Sequence, residues 1–175
     1  MKDIQGTVMY KRILVALDGS LSANLALEEA LRLAQPADAM LMVTYVISHD
    51  VRNLADGAIG EEVGGDAGMH WQLDHALELC ERSVVRNGVK SGVKSGASSG
   101  IRCTTQIIDA HGASIPGALM QAALAFEADL IVMGSHGPRG VRRHLIGSVA
   151  ETILRSSHVP VLTVRDDEHD AALPL

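Results

Sequence analysis

The chain has 175 residues, 47% of them hydrophobic and 21% charged, which is typical of one compact globular domain. Its formal net charge of -6 and its scarcity of aromatic residues argue against a DNA or RNA partner, because such partners need cationic phosphate contacts and stacking side chains. No apolar run is long enough to span a membrane, and the first ten residues carry no secretory signal, so we expect a cytoplasmic protein.

Five runs predict the strands of one parallel sheet. Strands that are buried on both faces show continuous apolar stretches rather than an alternating pattern. The four runs that are almost wholly apolar are Ile13 to Leu17, Met40 to Ile47, Leu130 to Met133 and Val159 to Val164. A fifth run, from Ile101 to Ile108, contains Thr104 and Gln106, which indicates a strand at an edge of the sheet.

Apolar residues at helical spacing separate the predicted strands. The first helix is expected to be capped by Ser20 or Ser22 and to stop at Pro36. The apolar positions of the four helices are Ala23, Leu27, Ala30, Leu31 and Ala34; Leu73, Ala76, Leu77, Cys80 and Val84; Ile115, Leu119, Ala122 and Phe126; and Val149, Ala150, Ile153 and Leu154. This alternation predicts a single doubly wound α/β domain, with a five-stranded parallel sheet in the order 3-2-1-4-5 flanked by four helices.

Two segments interrupt the alternation within this single domain, which spans residues 1–175 with a core at about 9–165. Residues 53–68, rich in Gly, Ala and acidic residues, predict a flexible loop. Residues 87–100 contain a tandem Val-Lys-Ser-Gly repeat, which favours a flexible insertion, with a phosphate-binding loop as the alternative. The acidic tail, residues 166–175, is expected to be solvated.

The two cysteines, Cys80 and Cys103, lack metal-ligand or CxxC spacing. We interpret them as thiols in a reducing compartment, with a disulfide between them as the alternative.

The carboxyl end of the first predicted strand, Asp18-Gly19-Ser20, borders the default ligand site of such a sheet. Open α/β sheets bind ligands where the order of the strands reverses. If the strand that ends at Met133 is the neighbour of the first strand, the segment that follows it faces Asp18. That segment, residues 133–148, contains four glycines and three arginines. The arginines are Arg139, Arg142 and Arg143.

The glycines of this segment predict a site for a small anion. Gly134 and Gly137 can adopt positive φ and let a ligand approach the backbone closely. Gly147 and Ser148 then begin the last helix, whose free N–H groups attract an anion, and the arginines would add positive potential. A plain turn with solvated arginines is the alternative, but this spacing arises by chance in only on the order of one per cent of such chains. No P-loop and no GxGxxG motif is present.

These features resemble those of the universal stress protein family, in its nucleotide-binding branch. The resemblance covers nearly the whole chain, from Tyr10 to Arg165. The ATP-binding signature of the family, Gly-x2-Gly-x9-Gly-[Ser/Thr], is met at Gly134, Gly137, Gly147 and Ser148. The resemblance implies a fold similar to that of the adenine nucleotide alpha hydrolases, with ATP as the ligand and Mg²⁺ held through the nucleotide phosphates.

The resemblance also implies roles for individual residues. Asp18 would meet the adenosine end of the nucleotide, and the backbone of Val46 would contact adenine. The loop glycines would lie beside the ribose and phosphates, and the start of the last helix would hold the phosphate chain. The positions that match the nucleotide site are Asp18, Val46, Met133, Gly134, Ser135, Gly137, Gly147, Ser148 and Val149.

The family resemblance implies a homodimer that pairs through the last strand, Val159 to Val164. Such pairing would also cover an apolar edge that would favour aggregation if it were left bare. We expect an ATP-binding universal stress protein that acts as a nucleotide-dependent regulator, through protein partners that the sequence does not identify. The alternatives are a nucleotide-free, chaperone-like interaction protein and a phosphate-handling enzyme such as a slow ATPase. No catalytic residue and no metal ligand is assigned, since neither His136 nor His144 has a recognisable catalytic setting.

Overall fold

The computed structural model describes residues 10–47, 66–85, 101–110, 112–137 and 146–166. Strands and helices alternate along these residues. The strands are β1 (Arg12–Leu17), β2 (Met40–Ile47), β3 (Arg102–Asp109), β4 (Leu130–Gly134) and β5 (Val161–Val164). The helices are α1 (Leu21–Ala37), α2 (Asp66–Val85), α3 (Ile115–Ala125) and α4 (Ser148–Ser156).

All five strands form one parallel sheet in the order β3-β2-β1-β4-β5. This confirms the order 3-2-1-4-5 and the α/β fold class predicted from the sequence. The central strands β1 and β4 are buried along almost their whole length, which explains why both are continuously apolar. The predicted edge strand β3 does lie at an edge, and its side chains alternate in exposure over its first half.

The helices cover both faces of the sheet. Ile13 and Val15 of β1 pack in one core cluster with residues of α1 and α2. Leu14 and Ala16 point the other way, into a second cluster with residues of α3 and α4. Helix α1, which follows β1, and helix α4, which follows β4, therefore lie on opposite faces of the sheet. In the described part of the chain, no helix is both long enough and apolar enough to cross a lipid bilayer.

Helix α1 begins where the sequence predicts and ends slightly later. Ser20 is its N-cap, and its hydroxyl accepts a hydrogen bond from the backbone N–H of Ala23. The prediction that Pro36 stops the helix is wrong, since the helix runs through Pro36 to Ala37. The turn is instead made by Asp38, in the left-handed conformation at φ 48°, whose N–H caps a carbonyl of the last turn.

The predicted loop over residues 53–68 is wrong for its last three residues, because α2 begins at Asp66. A glycine in a helix costs only about 1 kcal/mol, so a Gly-rich composition does not exclude a helical turn. The remainder of that loop and the predicted insertion over residues 87–100 lie outside the described residues, as do the side chain of Cys80 and residues 167–175 of the acidic tail. Arg165 and Asp166, which precede and begin that tail, are exposed.

Helix α1 lies directly against the carboxyl end of β4 at Gly134. A Cβ atom on Gly134 would lie 2.5 Å from Oγ of Ser22 and 2.8 Å from the backbone nitrogen of Ala23. The backbone nitrogen cannot turn away from such a contact, unlike the tip of a side chain. The packing of helix on strand therefore requires glycine at this position.

We expect Gly134→Ala to lower the free energy of unfolding by about 1–3 kcal/mol, because the added methyl group overpacks the contact between α1 and β4. Urea denaturation measures the change. Gly68→Ala is the matched control, since Gly68 is an exposed residue of α2 with open space where its Cβ would lie. That control is expected to stabilise the helix by about 0.5–1 kcal/mol. A Gly134→Ala variant as stable as the wild type would contradict the packing argument.

Candidate functional site

The candidate site is the crevice between the carboxyl ends of β1 and β4. The two strands are hydrogen-bonded neighbours, with Ala16 level with Met133. This confirms the predicted condition for Asp18 and the glycine segment to face each other. The helices that follow the two strands lie on opposite faces of the sheet, and open α/β sheets bind their ligands between strand ends arranged in this way.

The carboxylate of Asp18 is held by the cap of α1 and turned toward the glycine segment. Its Oδ1 accepts hydrogen bonds from the Ser20 N–H at 2.9 Å and from the Ser20 hydroxyl at 2.6 Å. Its Oδ2 lies 3.3 Å from the position that a Cβ on Gly137 would take. Within the described residues, Oδ2 accepts no hydrogen bond. Asp18 therefore presents one open carboxylate oxygen beside Gly137.

The segment after β4 is tied to the sheet and to α1. The Ser135 N–H donates to the carbonyl of Val164 at 2.8 Å, and the Ser22 hydroxyl donates to the carbonyl of His136 at 2.8 Å. Ser135 is buried, and its hydroxyl lies 2.7 Å from Nδ1 of His136. These bonds hold the backbone between Gly134 and Gly137 against the sheet and α1.

Gly134 and Gly137 do not use the positive φ that glycine allows. Among the described glycines, positive φ occurs at Gly19 and Gly112. Gly134 is required by the approach of α1, and Gly137 by the approach of the Asp18 carboxylate. Close contact, rather than an unusual backbone conformation, is thus the reason for both glycines.

The amino end of α4 returns to the same segment. Gly147 is the N-cap, and its N–H donates to the carbonyl of Ser135 at 2.8 Å. A Cβ on Gly147 would lie 3.3 Å from that carbonyl oxygen and 3.8 Å from the backbone nitrogen of Gly137. No side chain caps the helix, so the first-turn N–H groups of Ser148 and Val149 remain available to an anion.

A residue of α2 completes the opposite end of the crevice. Gly19 has φ 86°, and a Cβ there would lie 2.8 Å from Nε2 of Gln72. The amide of Gln72 thus covers the turn that follows Asp18. These residues form one series in which each lies beside the next. Gly147 lies near Gly137, Gly137 lies near the Asp18 carboxylate, and Gly19, which follows Asp18 in the chain, lies near the Gln72 amide. The series begins at the positive amino end of α4, passes the Asp18 carboxylate and ends at the Gln72 amide.

Two neighbouring residues of β2 also reach the crevice. Tyr45 is level with Leu17, the last residue of β1, so Val46 is level with Asp18. Burial, and secondarily the charge of Asp18, raise the pKa of the Tyr45 hydroxyl above its usual 10.0, so the phenol stays protonated. The Val46 side chain packs partly buried against the α3 and α4 cluster, leaving its backbone at the strand end.

Three buried polar atoms lack a hydrogen-bond partner among the described residues: Thr44 Oγ1, Gln72 Oε1 and His136 Nε2. Burying such an atom without a partner costs about 1–3 kcal/mol. Two of the three atoms belong to residues that border the crevice.

The remaining predicted residues fall into two groups. The Met133 side chain packs into the core between the sheet and the α3 and α4 layer, so only its backbone reaches the crevice. Arg139, Arg142 and Arg143 lie outside the described residues.

Sequence reasoning missed Gln72, Tyr45 and Ser22. The glycine after Asp18 indicated a turn, but nothing in the apolar pattern of α2 marked Gln72.

Comparisons with known proteins agree with this architecture. The sequence profile of the Universal stress protein family matches residues 9–165. A universal stress protein of Methanocaldococcus jannaschii is 31% identical over 160 residues, which cover 91% of this chain and 85% of that protein.

Two solved structures share the fold. UspA of Lactobacillus plantarum has a TM-score of 0.63 at 22% identity, and the match covers 89% of this chain and 98% of that chain. A universal stress protein in complex with cAMP has a TM-score of 0.59 at 22% identity, covering 90% and 98% of the two chains. Identities this low show the fold alone, whereas the profile and the archaeal relative show the family. The chain belongs to the universal stress protein family.

Proposed function

We propose that this protein binds ATP in the crevice between β1 and β4 and acts in the cytoplasm as a nucleotide-dependent regulator of the stress response. The observation that carries the proposal is the series of contacts from the amino end of α4 through Asp18 to Gln72. A nucleotide carries complementary groups in the same order, with an anion at one end, hydroxyl groups in the middle and a base at the other end.

The phosphate chain would lie at the amino end of α4. The N–H groups of Ser148 and Val149 and the Ser148 hydroxyl are donors there, and the helix dipole favours negative charge. Within the described residues, no group of three or more His, Cys, Asp or Glu side chains could hold a metal ion. The family resemblance implies that Mg²⁺ is held through the nucleotide phosphates.

The adenosine would lie across Asp18. The open Oδ2 of Asp18 suits a ribose hydroxyl, and the backbone of Val46, level with Asp18, suits the base. Gly134, Ser135 and Gly137 would form the floor beside the ribose and phosphates. The related universal stress protein in complex with cAMP supports an adenine nucleotide as the ligand class.

Binding rather than turnover is the proposed role. The Nδ1 of His136 is engaged with Ser135 and its Nε2 is buried, so neither ring nitrogen is exposed to orient an attacking water. Nucleotide occupancy would act on the segment from Gly134 to Ile146 and so change the binding of protein partners. Any hydrolysis would be slow.

We expect Ser148→Ala to weaken ATP binding by about 1–2 kcal/mol, a factor of about 5–30, because it removes a donor to a charged phosphate. Isothermal titration calorimetry measures the dissociation constant. Ser156→Ala is the matched control, since it makes the same substitution at the far end of the same helix. Gly137→Val is expected to abolish binding, because its side chain would occupy the space beside Oδ2 of Asp18.

The proposal fails if micromolar to millimolar ATP neither binds the wild type nor raises its melting temperature. That result would favour the nucleotide-free, chaperone-like alternative. A turnover of about 1 per second or more would instead identify a true ATPase, since most enzymes work at that rate or faster. Mass spectrometry of the denatured protein will identify any nucleotide that copurifies with it.

We also propose that two copies pair through the last strand, from Val159 to Val164. In this range β5 itself begins at Val161 and forms an edge of the sheet. The carbonyl of Pro160 accepts a hydrogen bond from Ile131 of β4, and that of Val164 accepts one from Ser135, the residue after β4. Backbone groups alternate along a strand, so Val161 and Thr163 direct theirs toward the free edge. An apolar edge with open donors is suited to pairing with a second copy.

We expect Thr163→Pro to convert the dimer to a monomer, because proline removes an edge N–H without touching the bonds between β5 and β4. Thr163→Val keeps the N–H and the shape of the side chain and is the control. Size-exclusion chromatography with light scattering measures the mass of both variants. If the Thr163→Pro protein remains dimeric, the two copies pair through another surface.

A further inference from the structure

We infer that Gln72 is a specificity-determining residue that accepts a hydrogen bond from the exocyclic amino group of adenine. The inference rests on the proposed binding of ATP, and it adds a side chain of α2 to the backbone of Val46 in the reading of the base.

Contact between α2 and the turn after β1 places the Gln72 amide at this end of the crevice. A Cβ on Gly19 would lie 2.8 Å from Nε2 of Gln72, so the amide occupies the space that any larger residue at 19 would fill. The φ of 86° at Gly19 also disfavours other residues. Gly19 directly follows Asp18, whose Oδ2 is open on its other side toward Gly137.

The amide oxygen of Gln72 is an acceptor without a donor. It is buried and has no hydrogen-bond partner within the described part of the chain. It lies 3.9 Å from the position of a Cβ on Gly19, so it stays close to the Asp18 turn. The Gln72 side chain as a whole is only partly buried, and the inference requires its amide to turn toward the ligand. A buried acceptor that lowers stability is explained if a ligand supplies the missing N–H.

The hydrogen bond to the Gln72 oxygen could come from the amino group of the base or from a ribose hydroxyl. The order of groups along the crevice favours the amino group. The helix end at Gly147 takes the anion, and Oδ2 of Asp18 lies next and suits the hydroxyls. Gln72 lies beyond Asp18, at the end that the base would reach. An acceptor oxygen there favours adenine, which carries an amino group, over hypoxanthine, which has a carbonyl oxygen in the same place.

The experiment compares the affinities of ATP and inosine triphosphate for the wild type and for Gln72→Met. We expect the wild type to prefer ATP. In Gln72→Met, ATP should bind about three- to tenfold more weakly while inosine triphosphate is unchanged, so the preference falls by that factor. Asp74→Asn, on the exposed side of the same helix, is the control and should keep both affinities.

Two further measurements separate recognition from a structural role. Without nucleotide, Gln72→Met should melt at the wild-type temperature or above, because the substitution removes an unpaired buried acceptor. Gln72→Glu retains an acceptor oxygen and should keep the preference for ATP, even where its charge weakens both nucleotides.

The possible failures are distinct. If the wild type binds ATP and the preference is the same in Gln72→Met, the inference is wrong and the proposed function stands. A preference for inosine triphosphate that disappears in Gln72→Met also overturns it, because the N–H side of the amide would then face the base. If the wild type binds neither nucleotide, the proposed function fails and the inference fails with it.

Discussion

The first turn of α1 is the constraint on which the crevice depends, because it contacts the chain on both sides of it. Ser20 holds the carboxylate of Asp18 after β1, and Ser22 holds the carbonyl of His136 after β4. The absence of a side chain on Gly134 lets that turn sit directly on the sheet. The first turn of α1 therefore fixes the carboxylate and the glycine segment relative to each other.

The fold could be predicted almost completely from the sequence because a parallel sheet covered on both faces leaves a strong pattern. β1 and β4 are apolar at nearly every position, whereas the edge strand β3 is marked by Thr104 and Gln106. The errors in the ends of the helices occurred where the intrinsic preference of one residue was overridden by the structure around it. Pro36 is tolerated near the end of α1 because Asp38 makes the turn, and the first residues of α2 are helical despite a glycine.

The sequence predicted that Asp18 and the glycine segment meet, but not why the glycines are needed there. The glycine spacing located the segment after β4, and the strand order then brought it to Asp18. That Gly134 serves the packing of a helix could not be read from a motif, because the contact joins residues far apart in the chain. The contact between Gly19 and Gln72 is of the same kind. A long-range contact between a glycine and a polar side chain leaves no periodic signal in the sequence.

The described part of the crevice divides its chemistry between backbone and side chains. At the α4 end, the donors are N–H groups and one hydroxyl, so anion binding there needs no charged side chain and is compatible with an acidic chain. Backbone donors recognise a phosphate equally well whichever base it carries. In the proposed complex, discrimination among nucleotides would come from the other end, from the backbone of Val46 and the side chains of Asp18 and Gln72. The stability lost to an unpaired acceptor at that end is consistent with selection for recognition rather than for stability alone.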